Sequence, residues 1–160
     1  MQAELNELLV QAENRYLQTE ELLGFKSYAE TLAQRLKIYE FLRDREVVIF
    51  QPIADQIQTQ FPQEKQERLE QILQQWILIF RHSAMAMLLN DSKYLQERVI
   101  DWLLGLVQAH NSQAIDTQVY QLLNTRLNEL LSPKALIFLQ PFLEQVKTHL
   151  LEPGTQKSTR

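Results

Sequence analysis

The feature that most constrains this chain is a long apolar stretch in its middle, residues 69–98. Apolar side chains recur there at steps of three and four, the period of one helix face: Leu69, Ile72, Leu73, Trp76, Phe80, Ala84, Met87 and Leu88. Residues 77–79 make the middle apolar nearly all round, so we expect a central helix wrapped by others. The helix is predicted to end at Asn90, with Asp91 or Ser92 capping the next helix.

The composition indicates one all-helical domain. The 160 residues include only three glycines and five prolines, and we assign residues 1–152 to the domain and 153–160 to a disordered tail. The net charge of -4 disfavours a nucleic-acid partner. The absence of cysteine excludes disulfides and a thioether-linked cofactor. Because no apolar run approaches bilayer length and the N-terminus lacks a basic head, we expect a cytoplasmic protein that does not span a membrane.

The first third of the sequence predicts a helical hairpin over residues 1–32. One helix is expected over residues 2–13, and Thr19 begins a second, short helix that ends near Leu32. Isolated short helices are marginal unless an apolar face finds a partner. We therefore expect the hairpin to contact a second subunit, the alternative being that it folds back on its own body.

Two further features of the first half have ordinary structural interpretations. Pro52 is expected to kink or interrupt its helix, which resumes and ends at Phe61. A basic region is interleaved with acidic residues, so exposed ion pairs are expected there; its cations are Arg35, Lys37, Arg43 and Arg45.

The second half predicts three more helices. The first is expected to turn Trp102 inward together with its leucines and valines. The second is expected to begin at Asp116 or Thr117. The third restarts at Ser132-Pro133, with serine as the cap and proline at the first helical position.

Three motifs in register resemble the phycobiliprotein family. AMLLNDSKYLQERV, residues 86–99, is similar to the family signature AML-x-GD-x3-L-x-ERV. NRYL and TEEL, within residues 14–22, are similar to GRYL-x-x-TEL, and IQTQFP, residues 57–62, is similar to YQKFP. The resemblance implies an all-α, globin-like helical bundle whose N-terminal hairpin protrudes and packs on another subunit. We therefore expect a homodimer through the hairpin.

The same resemblance implies that the pigment site is degenerate. The bilin-attaching cysteine of the family falls at Ile72, and the arginine and aspartate that hold the bilin fall at Gln74 and Gln75. A short connection, residues 63–68, replaces the loop that closes over the bilin. We therefore expect no covalent bilin, and a cleft largely closed by Trp76 and its neighbours. The chain resembles chromophore-free members such as the bilin biosynthesis-associated globins.

Histidine is the only plausible iron ligand in a globin-like cavity. His82 lies within the central helix beside Arg81, so these two residues are the candidates for cofactor binding, with His82 as the candidate metal ligand. Arg81 also matches an arginine of the family, although a salt bridge explains it equally well. His110 at a helix end and His149 near the tail are weaker candidates.

The sequence favours a protein that is not an enzyme. It has no metal-binding His-Glu-x-x-His, no glycine-rich phosphate loop and no nucleophile with a nearby base. The first hypothesis is an interaction protein that binds a partner of the phycobilisome or of the bilin and tetrapyrrole pathway. The alternative is a carrier or sensor that binds haem or bilin without a covalent bond.

Overall fold

The computed structural model describes residues 2–151, apart from the side chains of residues 2–4, Gln108 and His110. The described chain is helical and contains no strand. Its first half forms α1 (Gln2–Asn14), α2 (Thr19–Asp44), α3 (Glu46–Gln60) and α4 (Gln66–Leu89). Its second half forms α5 (Ser92–Leu95), α6 (Asp101–His110), α7 (Gln113–Leu130) and α8 (Pro133–Val146), with π-helical turns at Gln96–Ile100 and Lys147–Leu151. The tail predicted to be disordered, residues 153–160, lies outside the described residues.

The central helix of the bundle is α4, as the sequence predicted. It packs against α2, α3, α7 and α8. Its buried residues come from all parts of the predicted apolar stripe, and the ring of Phe80 meets the ring of Phe50 edge to face at 5.4 Å. The result is the all-α, globin-like bundle that was expected.

The end of α4 is set by two short polar side chains. Asn90 adopts a left-handed conformation with φ of 49°, which asparagine tolerates better than most residues. Asp91 then caps α5, because its Oδ1 accepts from the backbone N–H of Lys93 at 3.0 Å and of Tyr94 at 3.2 Å. The predicted break and cap are confirmed.

By length and composition, α4 is also the one described helix that could cross a membrane. This is weak evidence for a span, and it does not overturn the expectation that the chain does not cross a membrane. The reason is that α4 is the core helix of a bundle, and such a helix is apolar enough to pass the same test.

The second arm of the hairpin is longer than predicted. α2 continues without a break from Thr19 to Asp44, so the predicted end near Leu32 was wrong. Arg35 was expected on the surface but is only 2 % exposed. Its Nη1 donates to the carbonyl oxygen of Leu88 at 2.7 Å, where α4 ends and the helix dipole is negative. This contact fixes the base of the hairpin against the end of the central helix.

Pro52 lies inside α3 without interrupting it, so the predicted interruption was wrong and the predicted kink stays a prediction. Proline has no N–H, so the carbonyl oxygen of Val48, one turn earlier, lacks its usual helical donor. Arg126 of α7 supplies one, because its Nη2 donates to that oxygen at 3.0 Å. The break in the chain comes earlier, at Arg45 between α2 and α3.

Two predictions for the second half were wrong and one was right. Trp102 is 59 % exposed rather than inward, because the π-helical turn before α6 shifts the helical register and leaves Leu103 on the buried side. α7 begins at Gln113, about one turn before the predicted start, and Asp116 is buried. Ser132 caps α8 as predicted, with its Oγ accepting from the N–H of Ala135 at 3.2 Å.

Candidate functional site

The three residues of the degenerate pigment site do not face one space. Ile72 is buried in the core of α4, and Gln75 beside it is half-buried. Gln74 is exposed and lines a different cavity, between α3 and α4. The separation follows from helix geometry, since consecutive residues point about 100° apart. The structure therefore brings Ile72 and Gln75 together and leaves Gln74 apart.

An open cleft of about 410 Å³ lies beside Ile72 and Gln75, and we call it the α4–α6 cleft. It was expected to be largely closed, but it remains open. Its other lining residues are Lys65, Glu67, Arg68, Gln71 and Ala109. Arg68 is already engaged, since its Nη1 bonds Glu64 at 3.2 Å and its Nη2 reaches the carbonyl oxygen of Asn111 at 3.4 Å. The cleft is polar, and its wall carries both a cation, Lys65, and an anion, Glu67, beside the engaged Arg68.

The expected burial of Trp76 is confirmed, and its partner was not foreseen. The indole Nε1 donates to Oδ1 of Asp116 at 2.9 Å, and Oγ of Ser112 donates to Oδ2 at 2.7 Å. All three side chains are buried. The ring of Tyr120 lies 6.1 Å from the ring of Trp76. Asp116 was predicted only as a possible start of α7, and the tertiary contact reveals that its carboxylate holds Trp76.

Arg81 and His82 are neighbours on α4 but contact different elements. Arg81 makes a two-bond pair with Glu46 of α3, at 2.7 Å from Nε and 2.9 Å from Nη2. This pair raises the pKa of Arg81. His82 faces α5, where its Nδ1 lies 3.0 Å from the hydroxyl of Tyr94. The two residues therefore do not converge on one ligand position.

The environment of His82 favours the neutral imidazole. Partial burial lowers its pKa below the ordinary value, and the nearby positive charge of Arg98 lowers it further. A neutral imidazole can ligate a metal, so ligation of haem iron by His82 stays a prediction. No group of three histidine, aspartate or glutamate side chains converges within the part of the chain that the structure describes.

The other two histidines were weaker candidates. Nδ1 of His149 bonds the carbonyl oxygen of Gln145 at 2.8 Å, one turn earlier. The side chain of His110 lies outside the described residues.

Comparison with known proteins gives one family. The family model described as "Phycobilisome protein" matches residues 9–150 of this chain. A search of curated proteins found no match.

Removing the indole of Trp76 should destabilise the fold strongly. We expect Trp76→Ala to lower the free energy of unfolding by about 3–5 kcal/mol, because it leaves a cavity in the core. Trp76→Phe should cost about 1–3 kcal/mol, because it keeps most of the volume but removes the donor to Asp116. Urea unfolding followed by circular dichroism measures both. Ile137→Ala, at a side chain that is 71 % exposed, is the control, and a loss below about 1 kcal/mol in Trp76→Ala would contradict the buried contact.

The lowered pKa of His82 makes stability depend on pH. Below pH about 6.5 the unfolded chain binds a proton at this histidine more readily than the folded chain does. The neutral His82 side chain therefore contributes to the free energy of unfolding above that pH, and this contribution is lost as the pH falls. We expect His82→Gln to flatten the fall in unfolding free energy between about pH 7 and pH 5. Parallel curves for the wild type and the variant would contradict this, and His149→Gln is the control.

Proposed function

This chain belongs to the phycobilisome protein family, and from that premise we propose that it acts as a chromophore-free member that binds other proteins. The observation that carries the proposal is the uncovered apolar surface of the N-terminal hairpin, α1 and the start of α2. The proposed partner is first a second copy of the chain, and the proposed setting is phycobilisome assembly or bilin and tetrapyrrole metabolism in the cytoplasm. No catalytic role is assigned to any side chain.

The hairpin presents large apolar side chains to solvent. Six of them between residues 9 and 25 are between 47 % and 98 % exposed: Leu9, Val10, Tyr16, Leu22, Leu23 and Phe25. Many large apolar side chains exposed in one short segment are typical of an interaction site.

The turn of the hairpin is held by hydrogen bonds, but α1 is not packed extensively against the rest of the chain. Arg15 bonds both carboxylate oxygens of Glu21, at 2.7 and 3.1 Å, and Glu21 also accepts from the backbone N–H of Gln18 at 3.2 Å. None of the extensive contacts between the described helices involves α1. A helix of 13 residues is marginal on its own. A partner that covers the apolar side would supply the missing stabilisation.

The distribution of charge disfavours a contact between two hairpins. Residues 1–30 carry six acidic and two basic side chains, whereas the rest of the chain carries fourteen of each. Two hairpins packed on each other would therefore repel. The body of a second copy carries no net charge. Between α2 and α4 it presents two ion pairs, Arg43 with Asp44 and Arg81 with Glu46, beside a cavity of about 310 Å³. We propose this surface of the partner as the acceptor of the hairpin.

Two features of the old pigment site support a member without attached pigment. The chain has no cysteine to form a thioether. The neutral amides of Gln74 and Gln75 stand where the family has an arginine and an aspartate. A neutral amide cannot replace a carboxylate that accepts pyrrole N–H groups with the help of charge.

One observation favours a second candidate function, non-covalent binding of a tetrapyrrole. The α4–α6 cleft survives beside Ile72, and Lys65 and Arg68 on its wall could meet propionate groups. In this alternative the chain is a carrier or sensor.

Charge on the hairpin should break the proposed dimer. We expect Leu22→Asp combined with Leu23→Asp to halve the mass in sedimentation at micromolar protein, because carboxylates would enter an apolar interface. Arg81→Glu should weaken association if the α2–α4 surface is the acceptor. Val47→Asp, at a side chain that is 73 % exposed on the body, is the matched control. A wild type that sediments as a monomer would contradict the proposal.

A titration with pigment separates the two candidate functions. An interaction protein should leave the visible spectra of haem and biliverdin unchanged. A shifted spectrum that is lost in Lys65→Ala with Arg68→Ala would favour a carrier that uses the α4–α6 cleft. A shift of the haem band that is lost in His82→Ala would instead place the ligand beside α5.

A further inference from the structure

An exposed tryptophan marks one side of α6. Trp102 is 59 % exposed, and Arg98, Gly105 and Ala109 are exposed on the same side of the helical segment. Residues three and four apart share one side of a helix. We call this surface, formed by these four residues, the α6 face. It is separate from the hairpin and from the contacts that bury α6 in the bundle.

Gly105 has no evident role within the chain itself. A Cβ at this position would meet no atom within 4 Å. Glycine in the interior of a helix lowers stability relative to other residues. A residue without a side chain does, however, allow another helix or a large ring to approach closely. Gly105 lies one turn from Trp102. The α6 face therefore carries a large exposed ring and, beside it, an open position against which another ring can pack.

The charges on this surface balance. Lys93 and Glu97 pair at 3.8 Å, and Asp101 accepts from Gln96 Nε2 at 2.8 Å. Arg98 is the remaining cation, and its charge offsets that of Asp101. Two copies of this surface can therefore meet without net repulsion, unlike two hairpins.

We propose that the α6 face binds the α6 face of a second copy, with the two helices antiparallel across a two-fold axis. In such a contact each residue meets its counterpart reciprocally. If the two-fold axis passes between Trp102 and Gly105, the indole of one copy lies over Gly105 of the partner subunit. The same axis brings Arg98 towards the C-terminal end of the partner's α6, where the helix dipole is negative.

The other apolar surface on the body suits this kind of contact less well. A groove of about 300 Å³ between α3 and α4 is lined by Phe50 and Ile77, but Glu46 and Glu70 line it as well. Two copies of that groove would bring carboxylates together. The α6 contact does not depend on the hairpin contact, and the two together would build an assembly larger than a dimer.

Gly105→Gln tests the contact with the fold preserved. The new side chain has space in the monomer, and glutamine forms helices better than glycine does. We therefore expect the helical circular dichroism of the wild type to be kept together with a halved mass in sedimentation of the full chain. Trp102→Ala should halve the mass as well, and Ile137→Gln, on exposed α8 surface, should leave it unchanged.

The hairpin variant Leu22→Asp with Leu23→Asp separates this inference from the proposed function. It should leave a dimer held by the α6 face, which Gly105→Gln then converts to a monomer. If Gly105→Gln and Trp102→Ala both keep the mass of the wild type, the α6 contact is overturned and the hairpin proposal is unaffected. If only the hairpin variant keeps the mass of the wild type, the hairpin proposal fails and the α6 contact stands.

Discussion

The structure depends most on the buried bond between the Trp76 indole and the Asp116 carboxylate. A carboxylate with 2 % exposure must have donors, and here Trp76 and Ser112 supply them at 2.9 and 2.7 Å. The bond joins the middle of the central helix to the first turn of α7. Trp76 lies one helical turn from Ile72, the position of the lost cysteine. Its buried side chain therefore fills space next to the family's pigment site.

This packing supports the proposal that the protein functions through the surface of the bundle. The remaining α4–α6 cleft is open and polar, but it has no thiol, and the residue on its wall at position 75 is a neutral glutamine. The hairpin, by contrast, is apolar, acidic and uncovered, while its base is fixed by Arg35 at the end of α4. A hairpin with a fixed base and exposed apolar side chains at its tip is suited to binding another chain.

Local signals predicted the parts of the fold that depend on local chemistry. The period of α4, the cap by Asp91 and the serine cap of α8 can all be recognised from a few neighbouring residues. Arg35, Asp116 and Trp102 could not be placed in this way, because partners or register from distant segments decide their burial. Pro52 is the sharpest case, since the helix survives there with the help of Arg126, a residue 78 positions away that donates to Val48. For the same reason the open cleft beside Ile72 was missed, because Ala109 of α6 forms part of its wall.

The central claim is that this protein assembles without attached pigment, while Ile72 of the old pigment site is buried in the core. Native mass spectrometry tests it most directly, on the full chain produced together with bilin-synthesising enzymes and bilin lyases. The account predicts multiples of the 18.9 kDa chain with no added pigment mass. A chain that carries bilin mass after denaturation, or a colourless chain that is monomeric at micromolar concentration, would contradict it.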